Sequence, residues 1–380
     1  MPSRETWRLG VVSLEPWDHV WRRNQHLVDR LLALDPALSV IFVGPPRDPL
    51  HELSQRRAPR TGSGVRHVPG YDGRLATAEA TKWLPGRAGP VADRVLDRQV
   101  ATLLGGSGLP DALWINDPRR AGVSERLGVP TLYDITDDWT LAPRPPRERQ
   151  RLQDGDRTLL QRADAVVVCS PALQESKGGE LVRNAVDVED YRRPRPRPDD
   201  LSPRSAVYCG TLHEDRLDVD LVVAAGARLA QTGSSLALVG PVALSEANGR
   251  RLLQAPGVAV LGSRPYQEVP AYLQHADALV VPHIVDSFTA TLDPIKLYEY
   301  LAVGRPILAT PCAGFVELAD PPALSVVGAD EFPASVAALI DHPVPTVHRS
   351  VPDWAERAGR MHEILMAMRT GRTDGAGARS

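Results

Sequence analysis

The sequence predicts an α/β protein built from two doubly wound parallel sheets. Short runs rich in β-branched residues alternate with helical patterns, a proline-rich stretch interrupts this alternation near the middle of the chain, and the alternation then restarts. A chain of 380 residues also exceeds the ~250 to 300 residues at which single cores stop growing. We therefore expect two domains, each with its own sheet.

The first half contains five predicted strands and three predicted helices. Each strand is a short apolar run, and each helix has apolar residues at helical spacing. This alternation is typical of a parallel sheet with crossover helices. The predicted strands are 9–14, 40–43, 112–115, 131–135 and 165–169, and the predicted helices are 20–34, 91–104 and 147–163.

Four prolines within 192–204 prevent that stretch from forming a helix or an inner strand. We therefore place a linker at 191–204, between a domain of residues 1–190 and a domain of residues 205–350. A last helix at about 353–369 is expected to pack back on the first domain, and the tail 370–380 is expected to be disordered. The second half has predicted strands at 206–209, 236–239, 258–261, 278–281 and 307–310, and predicted helices at 219–231 and 270–275.

Composition and charge exclude several classes of protein. A formal net charge of -3 gives no reason to expect a nucleic-acid partner or a strongly anionic membrane, although it is compatible with peripheral membrane contact. No run approaches the ~20 apolar residues of a transmembrane segment, and the polar start lacks the order of a signal peptide. Cys169, Cys209 and Cys312 have no metal-ligand spacing, so we expect buried reduced thiols, no bound metal and a cytoplasmic location.

The segment 292–310 combines a helix, two charged residues and a following strand. Pro294 suits the first helical position, apolar residues follow at helical spacing, and Gly304 suits the helix end. Lys296 and Glu299 are three residues apart and therefore share a neighbouring face. This face of a helix in an α/β sheet is a place where a nucleotide can bind.

Turn-forming or polar residues follow the predicted strands of the second half. Ligands of open α/β sheets bind outside the carboxyl ends of the strands, where glycine lets a phosphate approach the backbone. We therefore expect the second domain to bind the nucleotide. Neither half has a Gly-x-Gly-x-x-Gly fingerprint or a P-loop, which disfavours dinucleotide oxidoreductases and P-loop enzymes. The residues at these strand ends include Gly210, Thr211, Gly240, Gly262, Arg264 and His283.

Several motifs together resemble family 4 glycosyltransferases of the GT-B fold, in its bacterial branch. The resemblance covers roughly residues 9–369, and the order and spacing of the motifs match through the whole second half. The motifs of the second half are 208–212, 216–218, 261–262, 266–272, 276–277 and 296–306, and those of the first half are 21–26, 133–139, 170–171 and 184–187.

The resemblance implies two Rossmann-like domains facing a cleft and a retaining, metal-independent reaction without a cofactor. A sugar would pass from a nucleotide-diphosphate sugar of UDP, GDP or dTDP type, held by the second domain, to an acceptor held by the first. The acceptor nucleophile would be a hydroxyl of a glycan, a lipid-linked glycan or a small natural product.

Glu299 matches the second glutamate of the family's signature, which accepts hydrogen bonds from the two ribose hydroxyls. The alternative is a solvated helix residue. The position of the first glutamate holds Thr291, so Thr291, with Thr289 or Asp293, is expected to contact the donor sugar. Alternatively this loop has lost contact with the donor.

Arg216 lies where the family places basic residues on the donor pyrophosphate, although Thr211 and Leu217 replace the customary basic residues nearby. The alternative for Arg216 is a surface pair with Asp215 or Asp218. Lys296 either supplies the missing charge or pairs with Glu299. Gly210, Thr211 and Arg264 complete the expected nucleotide site, and His283 is either a donor-sugar contact or a structural histidine.

Asp134 ends a strand where relatives place a polar residue facing the reacting centre. A carboxylate there would stabilise an oxocarbenium-like transition state, whereas the alternative is a capping role in the acidic turn of 134–138. Trp17, Trp21 and Arg22 follow the first strand and are expected to bind the acceptor. The two tryptophans, four residues apart, could instead pack into the core.

Two further hypotheses compete with a glycosyltransferase. The substitution at Thr291 and the few basic residues around Arg216 are compatible with a catalytically silent GT-B subunit that binds a partner protein. Another GT-B enzyme, such as a nucleotide-sugar epimerase or a glycogen-type phosphorylase, is the third hypothesis.

Overall fold

The computed structural model describes residues 6–106, 108–141 and 144–371. The chain divides into two compact units. Unit 1 comprises Met1–Thr140, Arg144–Arg183 and Ala355–Ser380, and unit 2 comprises Leu141–Pro143 and Asn184–Trp354.

The change from unit 1 to unit 2 between residues 183 and 184 precedes the segment 191–204 that we predicted to be a linker. This segment is instead fastened within unit 2 by the side chain of Gln274. The Gln274 amide donates hydrogen bonds to the carbonyls of Tyr191 and Arg193 at 2.9 and 2.8 Å, and its oxygen accepts from the Arg195 N–H at 2.9 Å. The prolines therefore shape a packed segment and do not mark the boundary.

Unit 1 is built on a sheet in which eight described strands follow the order β3-β4-β2-β1-β5-β6-β7-β8. All neighbours are parallel except β3 and β4. The strands are β1 Trp7–Val12, β2 Leu38–Val43, β3 Arg66–His67, β4 Leu75–Ala78, β5 Ala112–Ile115, β6 Thr131–Ile135, β7 Ala165–Val168 and β8 Glu180–Leu181.

Helices connect these strands, as the alternating pattern predicts. The first helix begins three residues later than predicted, because Arg22 has an extended backbone and its N–H donates to Gln25 Oε1 at 3.1 Å. Residues 20–22 therefore belong to a loop. The helices of unit 1 up to residue 183 are α1 Arg23–Leu34, α2 Pro49–Ser54, α3 Pro90–Gly105, α4 Ala121–Leu127, α5 Pro146–Arg162 and α6 Pro171–Lys177.

Unit 2 contains a parallel sheet in which six described strands follow the order β13-β11-β9-β14-β15-β16, and a small parallel pair, β10 and β12. The prediction of an α/β fold with two mainly parallel sheets is confirmed. The strands are β9 Ser205–Cys209, β10 Leu212–His213, β11 Ser235–Val239, β12 Val242–Ala243, β13 Val258–Gly262, β14 Ala278–Val281, β15 Ile307–Ala309 and β16 Leu324–Val326. The helices are α7 Val188–Arg192, α8 Val219–Ala230, α9 Glu246–Gln254, α10 Val269–Gln274, α11 Ile295–Val303, α12 Ala313–Glu317 and α13 Phe332–Asp341.

The strand order of unit 2 reverses at β9. The chain first proceeds from β9 outward to β11 and β13, and later returns to pair β14 on the other side of β9. In open α/β sheets such a reversal opens a crevice at the carboxyl ends of the two central strands, and ligands bind there. The residues that follow β9 and β14 therefore define the place to look for a site.

Helix α11 packs over this sheet with Leu297, Tyr298 and Leu301 in the core of unit 2. It begins at Ile295, so Pro294 lies at the N-cap and is not the first helical residue as predicted; the helix ends before Gly304 as predicted. Both ends are held by other segments. The Asn184 N–H donates to Asp293 Oδ2 at 2.7 Å before the helix, and the Val347 N–H donates to the Gly304 carbonyl at 2.8 Å after it.

The last helix is α14, Trp354–Arg369. From Ala355 onward it belongs to unit 1. His362 Nε2 lies 3.0 Å from Asp35 Oδ2, and the Arg369 guanidinium lies 4.7 Å from the centre of the Trp7 ring. The tail that we predicted to be disordered lies, from residue 372 onward, outside the described residues.

Candidate functional site

Two glycines bring the backbone together at the carboxyl ends of β9 and β11. The Gly210 N–H donates to the Val239 carbonyl at 2.9 Å, and a Cβ at Gly240 would lie 2.2 Å from the Gly210 carbonyl oxygen. Only glycine fits at Gly240, where φ is also +145°. The backbone at Gly210 and Gly240 thus forms the base of the site, and a side chain at Gly240 would force these two segments apart.

The ammonium group of Lys296 lies at this floor. Its Nζ donates to the Tyr208 hydroxyl at 2.7 Å, lies 3.2 Å from His283 Nε2, and stands 4.0 Å from the centre of the Tyr208 ring. A Cβ at Gly210 would come within 2.9 Å of Nζ. Lys296 therefore reaches from α11 to the end of β9, at the reversal of the strand order.

Burial changes the protonation of this cluster. Desolvation lowers the pKa of Lys296 to about 7, with Arg216 lowering it further and Cys209 and Glu299 opposing the shift. Desolvation, followed by the charges of Lys296 and Arg216, holds the pKa of His283 well below its usual value. His283 is therefore a neutral imidazole whose Nε2 can accept a hydrogen bond from Lys296.

Glu299 lies one helical turn beyond Lys296 on α11. It is half-buried, and the Tyr191 hydroxyl donates to its Oε1 at 2.5 Å. Burial raises the pKa of Glu299, while the Tyr191 hydrogen bond and the charge of Lys296 lower it. The alternative of a solvated helix residue is wrong, because the carboxylate is partly enclosed and already holds one donor.

Lys296 and Glu299 influence each other's pKa without forming a contact ion pair. Within the part of the chain that the structure describes, no carboxylate oxygen lies in contact with Lys296 Nζ. The hypothesis that Lys296 merely pairs with Glu299 is therefore not what the structure shows. Both charges are instead held at the mouth of the crevice by uncharged partners.

Arg216 lies beside the same cluster. The Ile284 N–H donates to the Arg216 carbonyl at 2.8 Å, and the guanidinium lies 5.3 Å from the centre of the Phe288 ring. Its positive charge lowers the pKa of both Lys296 and His283, which places it electrostatically in the cluster. Asp218, proposed as its surface partner, instead caps α8 by accepting from the Leu221 N–H at 2.9 Å.

Thr211 and Arg264 occupy different positions in unit 2. The Thr211 carbonyl accepts from the Tyr208 hydroxyl at 3.4 Å, so Thr211 adjoins the cluster. Arg264 forms an ion pair with Asp200 at 2.5 Å and donates to the Tyr272 hydroxyl at 2.8 Å. Its guanidinium thus fastens the proline-rich segment, and nothing in these contacts links it to Lys296.

The predicted donor-sugar residues lie in the loop between β14 and α11. Thr289 Oγ1 accepts from the Asp286 N–H at 2.9 Å, and the Thr291 hydroxyl donates to the Phe288 carbonyl at 2.8 Å. Asp293 accepts from the Tyr298 hydroxyl at 2.6 Å as well as from Asn184. All three side chains are buried and shape the loop, whereas His283 is the one that lies in the Lys296 cluster.

Asp134, the predicted catalytic carboxylate, is completely buried in unit 1. Arg23 approaches both of its oxygens at 3.2 Å, and Trp114 and Asn116 donate to Oδ2 at 3.2 and 3.0 Å. With its acceptors occupied and no exposed surface, it has a structural role in this structure. The capping role belongs to Asp138, which accepts from the Thr140 N–H at 3.1 Å.

Trp17 and Trp21 lie in the loop between β1 and α1. Their ring centres are 6.1 Å apart, and both rings are half-buried. Trp17 also meets Phe42 edge-on at 5.2 Å. Arg22 forms ion pairs at 3.3 Å with Glu15 and with Asp18.

The sequence did not single out Tyr208 or Tyr191, which hold Lys296 and Glu299. Tyr208 stands within the quoted motif 208–212, but nothing there distinguishes its hydroxyl from a core aromatic. Tyr191 lies 108 residues from Glu299 in sequence, and no local pattern connects them. A contact between residues so far apart in the sequence becomes visible only in the folded structure.

Metal ligands, cysteines and membrane-spanning helices were each sought among the described residues. These residues include no group of three or more His, Cys, Asp or Glu side chains placed to hold a metal ion. Cys169, Cys209 and Cys312 are buried, and none of the three forms a disulfide bond. No described helix combines the length and the hydropathy needed to cross a membrane.

Sequence comparisons point to one class of protein. Residues 203–342, which lie within unit 2, match the sequence profile of the family described as Glycosyl transferases group 1. TuaH of Bacillus subtilis (strain 168), described as a putative teichuronic acid biosynthesis glycosyltransferase, is 26% identical over 198 residues. This match covers 47% of the present chain and 50% of TuaH, so it spans about half of that relative.

Solved structures with the same fold cover nearly the whole chain. Trehalose-6-phosphate synthase OtsA has a TM-score of 0.61 at 12% identity, with 96% of each chain covered. HepE of Anabaena, solved in complex with UDP and glucose, has a TM-score of 0.60 at 14% identity, covering 96% of this chain and 97% of HepE. The chain therefore has the GT-B fold of glycosyltransferases.

Proposed function

We propose that this protein is a glycosyltransferase that moves a sugar from a nucleoside diphosphate sugar to an acceptor nucleophile. One observation carries the proposal. Lys296 and Glu299 stand side by side on α11 at the reversal of the strand order, each held by a tyrosine hydroxyl and neither in a contact ion pair with the other. A ligand with one anionic part and one part rich in hydroxyl groups would satisfy both.

A nucleoside diphosphate has these two parts. The diphosphate suits the ammonium of Lys296 and the nearby charge of Arg216, and the backbone at Gly210 allows close approach. The vicinal hydroxyls of a ribose suit the carboxylate of Glu299, which has one oxygen engaged by Tyr191 and can accept further donors. Because such charged hydrogen bonds contribute ~1.5 to 3 kcal/mol each, the pair would dominate the affinity.

The UDP complexes of HepE and the match of residues 203–342 to the profile of glycosyl transferases group 1 support a nucleotide-sugar donor. The finer features remain our proposals from the motif resemblance: family 4 membership, retention of configuration, independence of metal and a cytoplasmic location. A donor of UDP, GDP or dTDP type and an acceptor of glycan, lipid-linked or natural-product type belong to the same proposal.

A thermal-shift panel of UDP, GDP, dTDP and ADP tests the donor site. Because a ligand that binds only the folded state stabilises it, at least one diphosphate should raise the melting temperature. No shift with any of the four at millimolar concentration would contradict the proposal. The same result would favour a catalytically silent subunit, for which Thr291 in place of the first signature glutamate is the supporting observation.

The Glu299→Ala substitution tests the ribose contact. We expect the affinity for the stabilising nucleotide to fall at least about tenfold, or ~1.4 kcal/mol, in isothermal titration calorimetry. Glu246→Ala is the matched control, because that glutamate is on a surface helix with its side chain 84% exposed, and it should leave the affinity unchanged. Equal affinity of the well-folded Glu299→Ala variant and the parent would remove the ribose assignment.

A further inference from the structure

A cavity of about 440 Å³ opens in unit 1, apart from the residues of the Lys296 site. It lies at the carboxyl ends of three neighbouring strands, since its lining includes the loop after β1, the loop after β2, and the last residues of β4. These ends are where ligands of parallel sheets bind. A volume of a few hundred Å³ is the size of a small-molecule site.

One wall of the cavity is a fixed aromatic ring. Trp17 packs edge-on against Phe42 at 5.2 Å and against Tyr71 at 6.1 Å. Tyr71 is itself held by a hydrogen bond to Asp29 at 2.8 Å. Trp17 is half-buried, so part of its ring is left to face a ligand, and a rigid indole face suits the apolar face of a sugar ring. The neighbouring proline-rich turns contribute Pro16 and Pro45 to the same lining.

Four charged side chains line the cavity, and three of them are neutralised. Arg47 pairs with Glu79 at 2.7 Å, and Asp18 pairs with Arg22 at 3.3 Å. Arg66 is the fourth. Across the residues that the structure describes, no carboxylate or other acceptor contacts its guanidinium, so the lining carries one uncompensated positive charge.

The position of Arg66 is fixed by the sheet although its side chain is exposed. Arg66 pairs with Thr77 in the short antiparallel ladder of β3 and β4, and both residues line the cavity. A guanidinium presented in this way binds carboxylate or phosphate oxygens through two parallel N–H donors. A neutral ligand would leave this charge without a counterpart.

We propose that this cavity binds a sugar ring that carries an anionic group, with the ring against Trp17 and the carboxylate or phosphate against Arg66. The inference rests on the proposed function, since this sugar would be part of the acceptor. It narrows the acceptor to an acidic saccharide. The test is independent of the donor site, because the cavity and the Lys296 cluster belong to different units of the chain.

Saturation-transfer difference NMR with glucuronic acid, glucose 6-phosphate and glucose tests the chemistry on the intact protein. We expect at least one acidic sugar to bind about tenfold more tightly than glucose, and the saturation to map to the ring protons that contact Trp17. Two acidic probes separate a carboxylate preference from a phosphate preference. Equal binding of all three sugars, or no binding of either acidic sugar, would overturn the proposal.

Substitutions localise the binding. Arg66→Gln should reduce the affinity for the acidic sugar to that for glucose, and Trp17→Leu should weaken all three ligands. Arg60→Gln is the matched control, because Arg60 is exposed and does not line the cavity. An Arg66→Gln variant that melts like the parent and keeps the preference for acidic sugars would overturn the role of Arg66.

The UDP titration of the same variants separates this inference from the proposed function. Arg66→Gln and Trp17→Leu should bind UDP like the parent. If UDP and the other nucleotides fail to bind while the acidic sugar does, the proposed function fails and the saccharide site stands. If a nucleotide binds and no acidic sugar does, the saccharide site is overturned and the proposed function stands.

Discussion

Units 1 and 2 each place charged groups at the carboxyl ends of their central strands, but they neutralise them differently. In unit 1, Asp134 receives a two-point ion pair from Arg23 together with two neutral donors, and it has no exposed surface. In unit 2, Lys296 and Glu299 are half-buried, and their side-chain partners among the described residues are tyrosine and histidine groups. The hydrogen-bonding capacity of Asp134 is filled by protein groups, whereas Lys296 and Glu299 can still bind charged or polar groups of a ligand.

Incomplete pairing changes the protonation of the two charged groups in unit 2. A buried charge with incomplete partners shifts its pKa toward the neutral form. Burial lowers the pKa of Lys296 to about 7 and raises that of Glu299. Burying these two groups without charged partners makes the protein without ligand less stable, and a bound ligand could supply the missing partners. Groups with perturbed pKa values in a crevice are typical of functional sites.

The largest effect is expected where the pairing is complete. Asp134→Asn leaves the Arg23 guanidinium buried without its carboxylate, and removing one partner of a buried pair costs ~3 to 5 kcal/mol. Urea unfolding followed by tryptophan fluorescence measures this loss. Arg162→Ala is the control, because its pair with Glu125 is exposed and should contribute less than ~1 kcal/mol. Equal losses in the two variants would show that the Asp134 pair is not structural.

Removing the incompletely paired lysine should have two opposite effects. Lys296→Met should raise the melting temperature of the protein without ligand and weaken nucleotide binding about tenfold or more, because charged hydrogen bonds contribute ~1.5 to 3 kcal/mol. Differential scanning fluorimetry and calorimetric titration measure the two effects. Lys82→Met is the control, since Lys82 is paired with Asp48 at 2.6 Å in unit 1 and should leave nucleotide binding unchanged.

The same lysine gives the stability a defined pH dependence. The pKa of Lys296 is about 7 in the folded protein and near its ordinary value of 10.5 in the unfolded chain. Between these values the unfolded chain binds more protons, so the contribution of Lys296 destabilises the fold at neutral pH and this penalty is relieved as the pH rises. The stability gain of Lys296→Met should therefore shrink between about pH 7 and 10.5 in melting curves; a gain independent of pH would contradict the shift.

The smallest effect is expected from the hydroxyl that holds Glu299. Tyr191→Phe removes one hydrogen bond to the carboxylate, worth ~0.5 to 1.5 kcal/mol, and should weaken nucleotide binding by a few-fold. Because that bond lowers the pKa of Glu299, its loss makes the carboxyl protonate at higher pH. The defect should therefore be larger at pH 6 than at pH 8 in calorimetric titrations.

Tyr71→Phe is the control for this substitution. Its hydroxyl also donates to a carboxylate, Asp29 at 2.8 Å, but in unit 1. Nucleotide binding by Tyr71→Phe should equal that of the parent at both pH values. A Tyr191→Phe variant that behaves in the same way would mean that Tyr191 does not position Glu299.

The sequence predicted the strands of both sheet centres closely, because each is a continuous apolar run. The bounds of β5, β6 and β14 agree with the prediction at both ends. Several elements were not predicted, and two of them show why. β4 reads Leu-Ala-Thr-Ala, which lacks the β-branched density of the others, and α13 begins with a Phe-Pro pair that resembles a loop although apolar residues follow at helical spacing.

The sequence could bring candidate site residues together where their contacts are local. Lys296 and Glu299 share one helix, so their spacing was visible in the sequence, and Gly210 could be placed because it follows a strand. Asp134 was misjudged because Arg23, which occupies it, lies 111 residues away. Acceptor binding and core packing stayed open for Trp17 and Trp21, because their spacing in the sequence does not show how far each ring is buried.

Helix α11 is fastened before its first residue through Asn184 and after its last through Val347. The rotation of the helix about its axis is thereby settled when the protein folds, and with it the direction of both charged side chains. A nucleotide arriving at such a surface spends little of its binding energy on immobilising the receptor. Asn184→Ala should accordingly weaken nucleotide binding, although Asn184 itself is not among the residues proposed to contact the nucleotide.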